Sequence, residues 1–174
     1  MVDRRRGCGA WIRLDHGVFA LASSSPTWMR MATAATLGHP VALVSGRSAC
    51  ALHNMDGFRL RLPRIEVTVP LGASHRSGLA TVRRSGLLTF ANVRGIPVIT
   101  ATHAFMQIVP LVGGDRAAEI LEAAIRNGIF TADDLCGRYV EIARSRLPGA
   151  ADIRCLVDAY GFGGLTQERR YIAG

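Results

Sequence analysis

The chain contains no lysine: all 21 basic side chains among its 174 residues are arginine. A GC-rich coding bias would explain this, and the physical consequence is the same whatever the cause. Every fixed cation is a planar fork that binds phosphate or carboxylate bidentately. Acids are scarce in the first half. Residues 1–100 hold 13 arginines against Asp3, Asp15, Asp56 and Glu66, a net +9, whereas residues 101–174 carry −1. Such a split predicts a surface that faces a polyanion, with a solvated basic face as the alternative. The four cysteines, Cys8, Cys50, Cys136 and Cys155, form no C-x-x-C pair. That excludes a structural zinc site and fits a reducing cytoplasm; Cys50 and Cys155 read as small hydrophobes among apolar neighbours. An uninterrupted apolar run is missing too. The 20 residues from Gly95 to Gly114 carry no Asp, Glu, Lys or Arg, but Pro97 and Pro110 break them, and Thr100, Thr102, His103 and Gln107 add polar groups. They read as a buried strand leading into a helix, not as a membrane span. The start imitates a secretory signal, yet Arg13, Asp15 and His16 lie inside its would-be apolar stretch and defeat insertion. The expectation is a cytoplasmic protein without membrane contact.

What is present is a 49% hydrophobic chain, long enough to bury a core. Residues 13–21, RLDHGVFAL, alternate around Leu14, Val18 and Phe19, with His16-Gly17 as the turn. They predict a short hairpin shaped like the wing of a winged helix. A helix follows over 28–37, with Thr27 as N-cap and Gly38 as stop. Residues 41–44 form a short buried segment, and Ser45 or Ser48 caps a second short helix that ends at Asp56-Gly57. In RIEVTVP, Ile65, Val67 and Val69 share one face of a half-buried strand; LATVRRS pairs back on it as a hairpin partner, and LLTFANV and IPVIT supply two more strands. Near Thr102 the apolar period changes from 2 to 3.6. Helices are predicted from Thr102, from Asp115 as cap to Asn127-Gly128, from the Thr131-x-x-Asp134 capping box to Arg144, and over 150–160. Glu122 and Arg126 are expected to form an i,i+4 ion pair, and Thr166 to cap a final stub. The fold class is therefore α+β: a wing-like hairpin, a small mixed sheet within 58–100, then a bundle of three or more helices.

No catalytic set converges. His16, His39, His53, His75 and His103 never stand at metal-ligand spacing. His53 follows Cys50 by three residues, as a thiol and its base would, but no oxyanion-type loop accompanies them, and a core cysteine beside a boundary histidine reads more simply. Gly113-Gly114 opens a helix, but Asp115 repels anions there, and GFGG at 161–164 has no preceding strand. No catalytic residue, metal or cofactor is expected.

The order of these elements resembles the AbiEi-like antitoxins of type IV toxin–antitoxin systems, in their actinobacterial form. The resemblance rests on His16-Gly17-Val18-Phe19, on Ser45, Arg47, Ser48, Ala49 and Leu52, on Val67 to Pro70, on Arg84-Ser85, and on Gly95-Ile96-Pro97-Val98. It covers about residues 13–160. Where the family carries an Arg-Thr and a following Asp, this chain has His103-Ala104 and Gln107. The resemblance implies three segments: a wing-like remnant of a winged helix over 1–22, an antitoxin domain over 23–160, and over 161–174 a linker with the start of a further segment. The helices that precede a wing are expected to be truncated away or to lie upstream of a start placed too late, and the endonuclease-like domain that follows in some relatives to be cut off; a single Glu168 cannot hold the Mg²⁺ such a nuclease needs.

The implied function is a non-enzymatic, DNA-binding transcriptional regulator or antitoxin, with a nucleotidyltransferase-type toxin as a further partner. The alternative is a remnant of an endonuclease-fused protein that binds only a protein partner. For DNA the candidate residues are Arg4, Arg5, Arg6 and Arg13 around the hairpin, with Arg59, Arg61, Arg83 and Arg84 extending the surface. With no recognition helix, contacts to phosphate dominate.

Overall fold

The computed structural model describes residues 10–60, 64–144 and 150–160, and among them the fold is α+β with six helices and two sheets. Two compact units divide the chain: Met1–Ser48 with Leu60–Ile99, and Ala49–Arg59 with Thr100–Gly174.

The first unit opens with the expected hairpin. Strands β1 (Trp11–Asp15) and β2 (Val18–Leu21) pair antiparallel, and Gly17 takes the left-handed turn position at φ +71°. Helix α1 (Trp28–Leu37) starts where Thr27 accepts the Arg30 N–H at 3.2 Å and ends at Gly38. It packs on the hairpin and the larger sheet, burying Trp28, Ala32, Ala34 and Ala35. That sheet has the order β5-β4-β3-β7-β6, with β3 Leu43–Val44, β4 Ile65–Pro70, β5 Ala80–Ser85, β6 Ala91–Val93 and β7 Ile96–Val98. Register places Val44, Ile65, Val67, Val69, Ile96 and Val98 on one face, all buried; of these, the alternation predicted Ile65, Val67 and Val69.

Three expectations for the strands of this unit are corrected. LATVRRS is not a hairpin partner: β5 runs parallel to β4, from Ile65↔Ala80 to Pro70↔Ser85. The nine residues between them reach roughly 30 Å when extended, enough to run back along a six-residue strand. LLTFANV contributes only its last three residues as β6, and Phe90 is exposed. In the 41–44 segment Val41 is exposed, and Leu43–Val44 forms the middle strand of the sheet.

Helix α2 (Gly46–Leu52) takes its cap from β4, not from Ser45 or Ser48. The Arg47 N–H donates to Glu66 Oε2 at 2.9 Å, the Glu66 N–H donates to Ser48 Oγ at 3.0 Å, and the Ser45 N–H donates to the Glu66 carbonyl at 2.8 Å. An acid that the alternation assigns to the solvent face thus closes a helix N-terminus.

The second unit holds α3 (Ala101–Val112), α4 (Gly114–Arg126), α5 (Ala132–Arg144) and α6 (Ala150–Ala159). Its core gathers Phe105, Ile108, Ile120, Leu121, Leu135 and Ile153, each at most 1% exposed. The first two helices start earlier than expected. Thr100, not Thr102, is the N-cap of α3, and Gly113, not Asp115, is the N-cap of α4, so Asp115 lies inside the first turn. Glu122 makes no ion pair with Arg126 among the described residues; it accepts a 2.7 Å hydrogen bond from the Tyr160 hydroxyl, which raises the Tyr160 pKa. Cys155, expected among apolar neighbours, is exposed, whereas Cys50 and Cys136 are buried.

The capping box forms as predicted: the Asp134 N–H donates to Thr131 Oγ1 at 3.1 Å, and the Thr131 N–H donates to Asp134 Oδ2 at 2.9 Å. Thr131→Ala should cost about 1 kcal/mol. Asp134→Ala should cost a similar amount, and the double variant less than the sum, because the two bonds share one device. Chemical denaturation of the three variants checks this.

Candidate nucleic-acid interface

One carboxylate of the first unit ties the hairpin turn to a distant loop. Asp15 ends β1 at the hairpin turn and accepts the His16 N–H at 2.8 Å, the Ser77 hydroxyl, and the Gly78 N–H at 3.4 Å. The turn is thereby tied to the 71–79 return loop. Burial alone would raise the Asp15 pKa, but the bonds from Ser77, His16 and Gly78 and the nearby His75 hold it below the ordinary value. The Arg13 guanidinium folds over the same turn, donating to the Asp15 carbonyl at 3.1 Å and lying 3.3 Å from His16 Nδ1.

His75, on the same loop and within electrostatic reach of Asp15, is 7% exposed. Its ring fits against Gly38 so closely that a Cβ there would meet Cε1 at 2.9 Å, and its centroid lies 5.6 Å from that of His39. Burial lowers the His75 pKa; His39 and Arg84 lower it further, while Asp15 opposes them, so the ring is neutral at pH 7. Arg84 reaches the same loop, donating from Nε to the Ala73 carbonyl at 3.0 Å. Arg13 and His16 thus lie at the turn that Asp15 closes, His39 and Arg84 lie within electrostatic reach of His75, and Arg13 and Arg84 are both exposed residues.

Ser77, His75 and Asp15 belong to the residue types of a hydrolytic triad, but the connections are wrong for one. The Ser77 hydroxyl donates straight to Asp15, and its oxygen accepts the Leu79 and Ala80 N–H groups at 3.1 and 3.2 Å. Its lone pairs are taken up by the loop. Cys50 is 0% exposed and equally shut off.

Of the eight candidate arginines, the structure brings Arg13 and Arg84 to this patch. Arg83 is exposed on the opposite face of β5, since adjacent strand residues project to opposite sides. Arg59 is exposed in the second unit, and Arg4, Arg5, Arg6 and Arg61 lie outside the described residues. Sequence reasoning missed His39 and His75 as members of the patch. No local pattern marks them, because loop 71–79 joins them only by returning along the sheet.

No family model matches the chain, and neither does any curated protein. The patch must therefore be read from its own chemistry. Among the described residues no group of three or more His, Cys, Asp or Glu is arranged to hold a metal ion. No helix among them is long and apolar enough to cross a membrane. What remains at the hairpin is a pair of exposed arginine forks beside three histidines, an arrangement that suits phosphate oxygens.

Proposed function

We propose that the chain is a non-enzymatic DNA-binding regulator, antitoxin-like in the sense of the AbiEi resemblance, which holds duplex DNA through its phosphates. The observation that supports this reading is that two exposed arginines are fastened to one joint, Arg13 at the turn of Asp15 and Arg84 at the 71–79 loop that Asp15 holds through Ser77. A cytoplasmic location and a nucleotidyltransferase-type toxin as a further partner belong to the same reading. Contacts made by flexible arginine forks to phosphate position a protein without reading bases, so the binding is tolerant of sequence.

The test is fluorescence anisotropy with several unrelated duplexes at increasing salt. Each lost phosphate contact should lower the slope of log K against log salt by about 0.9, so Arg13→Ala/Arg84→Ala should reduce it by about 2. The loss should be even across the duplexes. Replacing Arg4, Arg5 and Arg6 by Ala should act in the same direction. A chain that binds no duplex at low salt overturns the proposal.

A further inference from the structure

Strand β5 is the edge of the five-stranded sheet, next to β4 alone. The parallel register fixes which way its backbone points. The Ile65 N–H donates to the Leu79 carbonyl, so Leu79, Thr81, Arg83 and Ser85 turn their groups toward β4. Ala80, Val82 and Arg84 point the other way. Ser77 Oγ takes the Ala80 N–H at 3.2 Å. Among the described residues nothing takes the outward groups of Val82 and Arg84. The strand is six residues long, and Thr81, Arg83 and Arg84 are exposed. Edge strands with such a free ladder are templates for a further strand.

We propose that β5 is the docking strand for an extended acidic segment of a partner protein, which joins the sheet edge as a sixth strand. Two observations choose this occupant. The free ladder alternates N–H and C=O, so its partner must both accept and donate at regular spacing, as a peptide backbone does. Phosphate accepts only and would leave the outward carbonyls of Val82 and Arg84 unmatched. The charge selects the sign. Arg83 and Arg84 project to opposite faces of β5, so carboxylates on either face of an incoming strand find a cation. The nearby acids of this unit are already engaged, Asp15 by Ser77 and Gly78 and Glu66 by Arg47, so the partner supplies the negative charge. A second copy of β5 would set four arginines against one another. The proposal goes beyond DNA binding, since it adds the backbone of β5 and the Arg83 side chain to the Arg84 side chain that both readings use.

The probe is the capped peptide acetyl-Glu-Val-Glu-Val-Glu-Val-amide, read by amide hydrogen exchange on the whole chain. At a peptide concentration about ten times Kd, exchange at Val82 and Arg84 should slow about tenfold. Thr81 and Arg83, already bonded to β4, should not change. The peptide with Lys in place of Glu should have no effect. Val82→Pro removes an outward N–H that β4 does not use, so it should abolish protection while the β4 amides stay as they were. Arg83→Glu/Arg84→Glu, which leaves the backbone intact, should reverse the preference toward the Lys peptide. The proposal is overturned if Val82 and Arg84 gain no protection, if both peptides protect equally, or if the chain dimerises through β5 without peptide. Val82→Pro leaves both arginines in place and amide protection is read apart from duplex anisotropy, so the two readings fail separately.

Discussion

Acidification from pH 7 to pH 4 should remove about 3 kcal/mol of stability through a single buried histidine, and His103→Met should restore most of it. His103 lies on α3, 3% exposed, and the Gln107 side-chain amide donates to its Nε2 at 3.4 Å. Burial, and secondarily the charge of Arg138, lower its pKa from 6.5 to about 4. A depressed histidine is neutral in the folded chain while the unfolded chain takes up a proton. Its contribution is therefore complete above pH 6.5 and is lost as pH falls from 6.5 to 4. The Gln107 bond requires the same neutral ring, since protonated Nε2 cannot accept. His75 shifts in the same direction and adds to the acid loss from the first unit. The measurement is thermal unfolding of wild type and His103→Met at pH 7 and pH 4. The wild type should lose roughly 6–12 °C more than the variant across that interval. Parallel curves would show that His103 is charged or solvated in the folded state.

Gly46→Ala should destabilise the protein by about 2–4 kcal/mol, a large effect for one methyl group. Gly46 sits at φ +54°, where a side chain is strained, and a Cβ there would collide with Glu66 Oε2. The carboxylate can yield only by leaving the Arg47 N–H that it caps. The substitution thus combines backbone strain with the loss of a charge-assisted bond. Glu66→Ala should cost less, since it removes the bond without adding backbone strain, and Gly46→Ala in that background should cost about 1 kcal/mol because the clash is gone. Denaturant midpoints of the three variants decide it; additive losses would mean that Glu66 moves freely.

This corner also shows how the resemblance motifs divide. The Ser45, Arg47, Ser48 cluster and the strand at Val67 to Pro70 are adjacent parts of one joint, fastened by Glu66. The joint explains why those residues occur together without assigning them a role in binding. The Arg84-Ser85 pair divides as well: Arg84 holds the return loop at Ala73, and Ser85 closes the end of β5 by donating to the Leu87 carbonyl.

Sequence alone determined several features that depend on neighbours within about four positions, though not the Thr100 and Gly113 caps or the partner of Glu122. The hairpin turn at His16-Gly17, the Thr27 cap, the Thr131 capping box, the Asn127-Gly128 stop and the change of period near residue 100 are all short-range features. Each is fixed by φ/ψ preference, side-chain alternation or an i→i+3 hydrogen bond, which a linear pattern carries in full. Tertiary structure decided which segments meet. The same alternation in 65–70 and 80–85 fits parallel or antiparallel pairing equally well, and the route of loop 71–79 chose the parallel one. Glu66 caps a helix 19 residues away, Ser77 binds Asp15 across 62, and Tyr160 binds Glu122 across 38. Alternation told which face a residue occupies and not what lies opposite it, because the partner arrives only when the chain returns. The basic patch at the hairpin and the free edge of β5 are both consequences of that return.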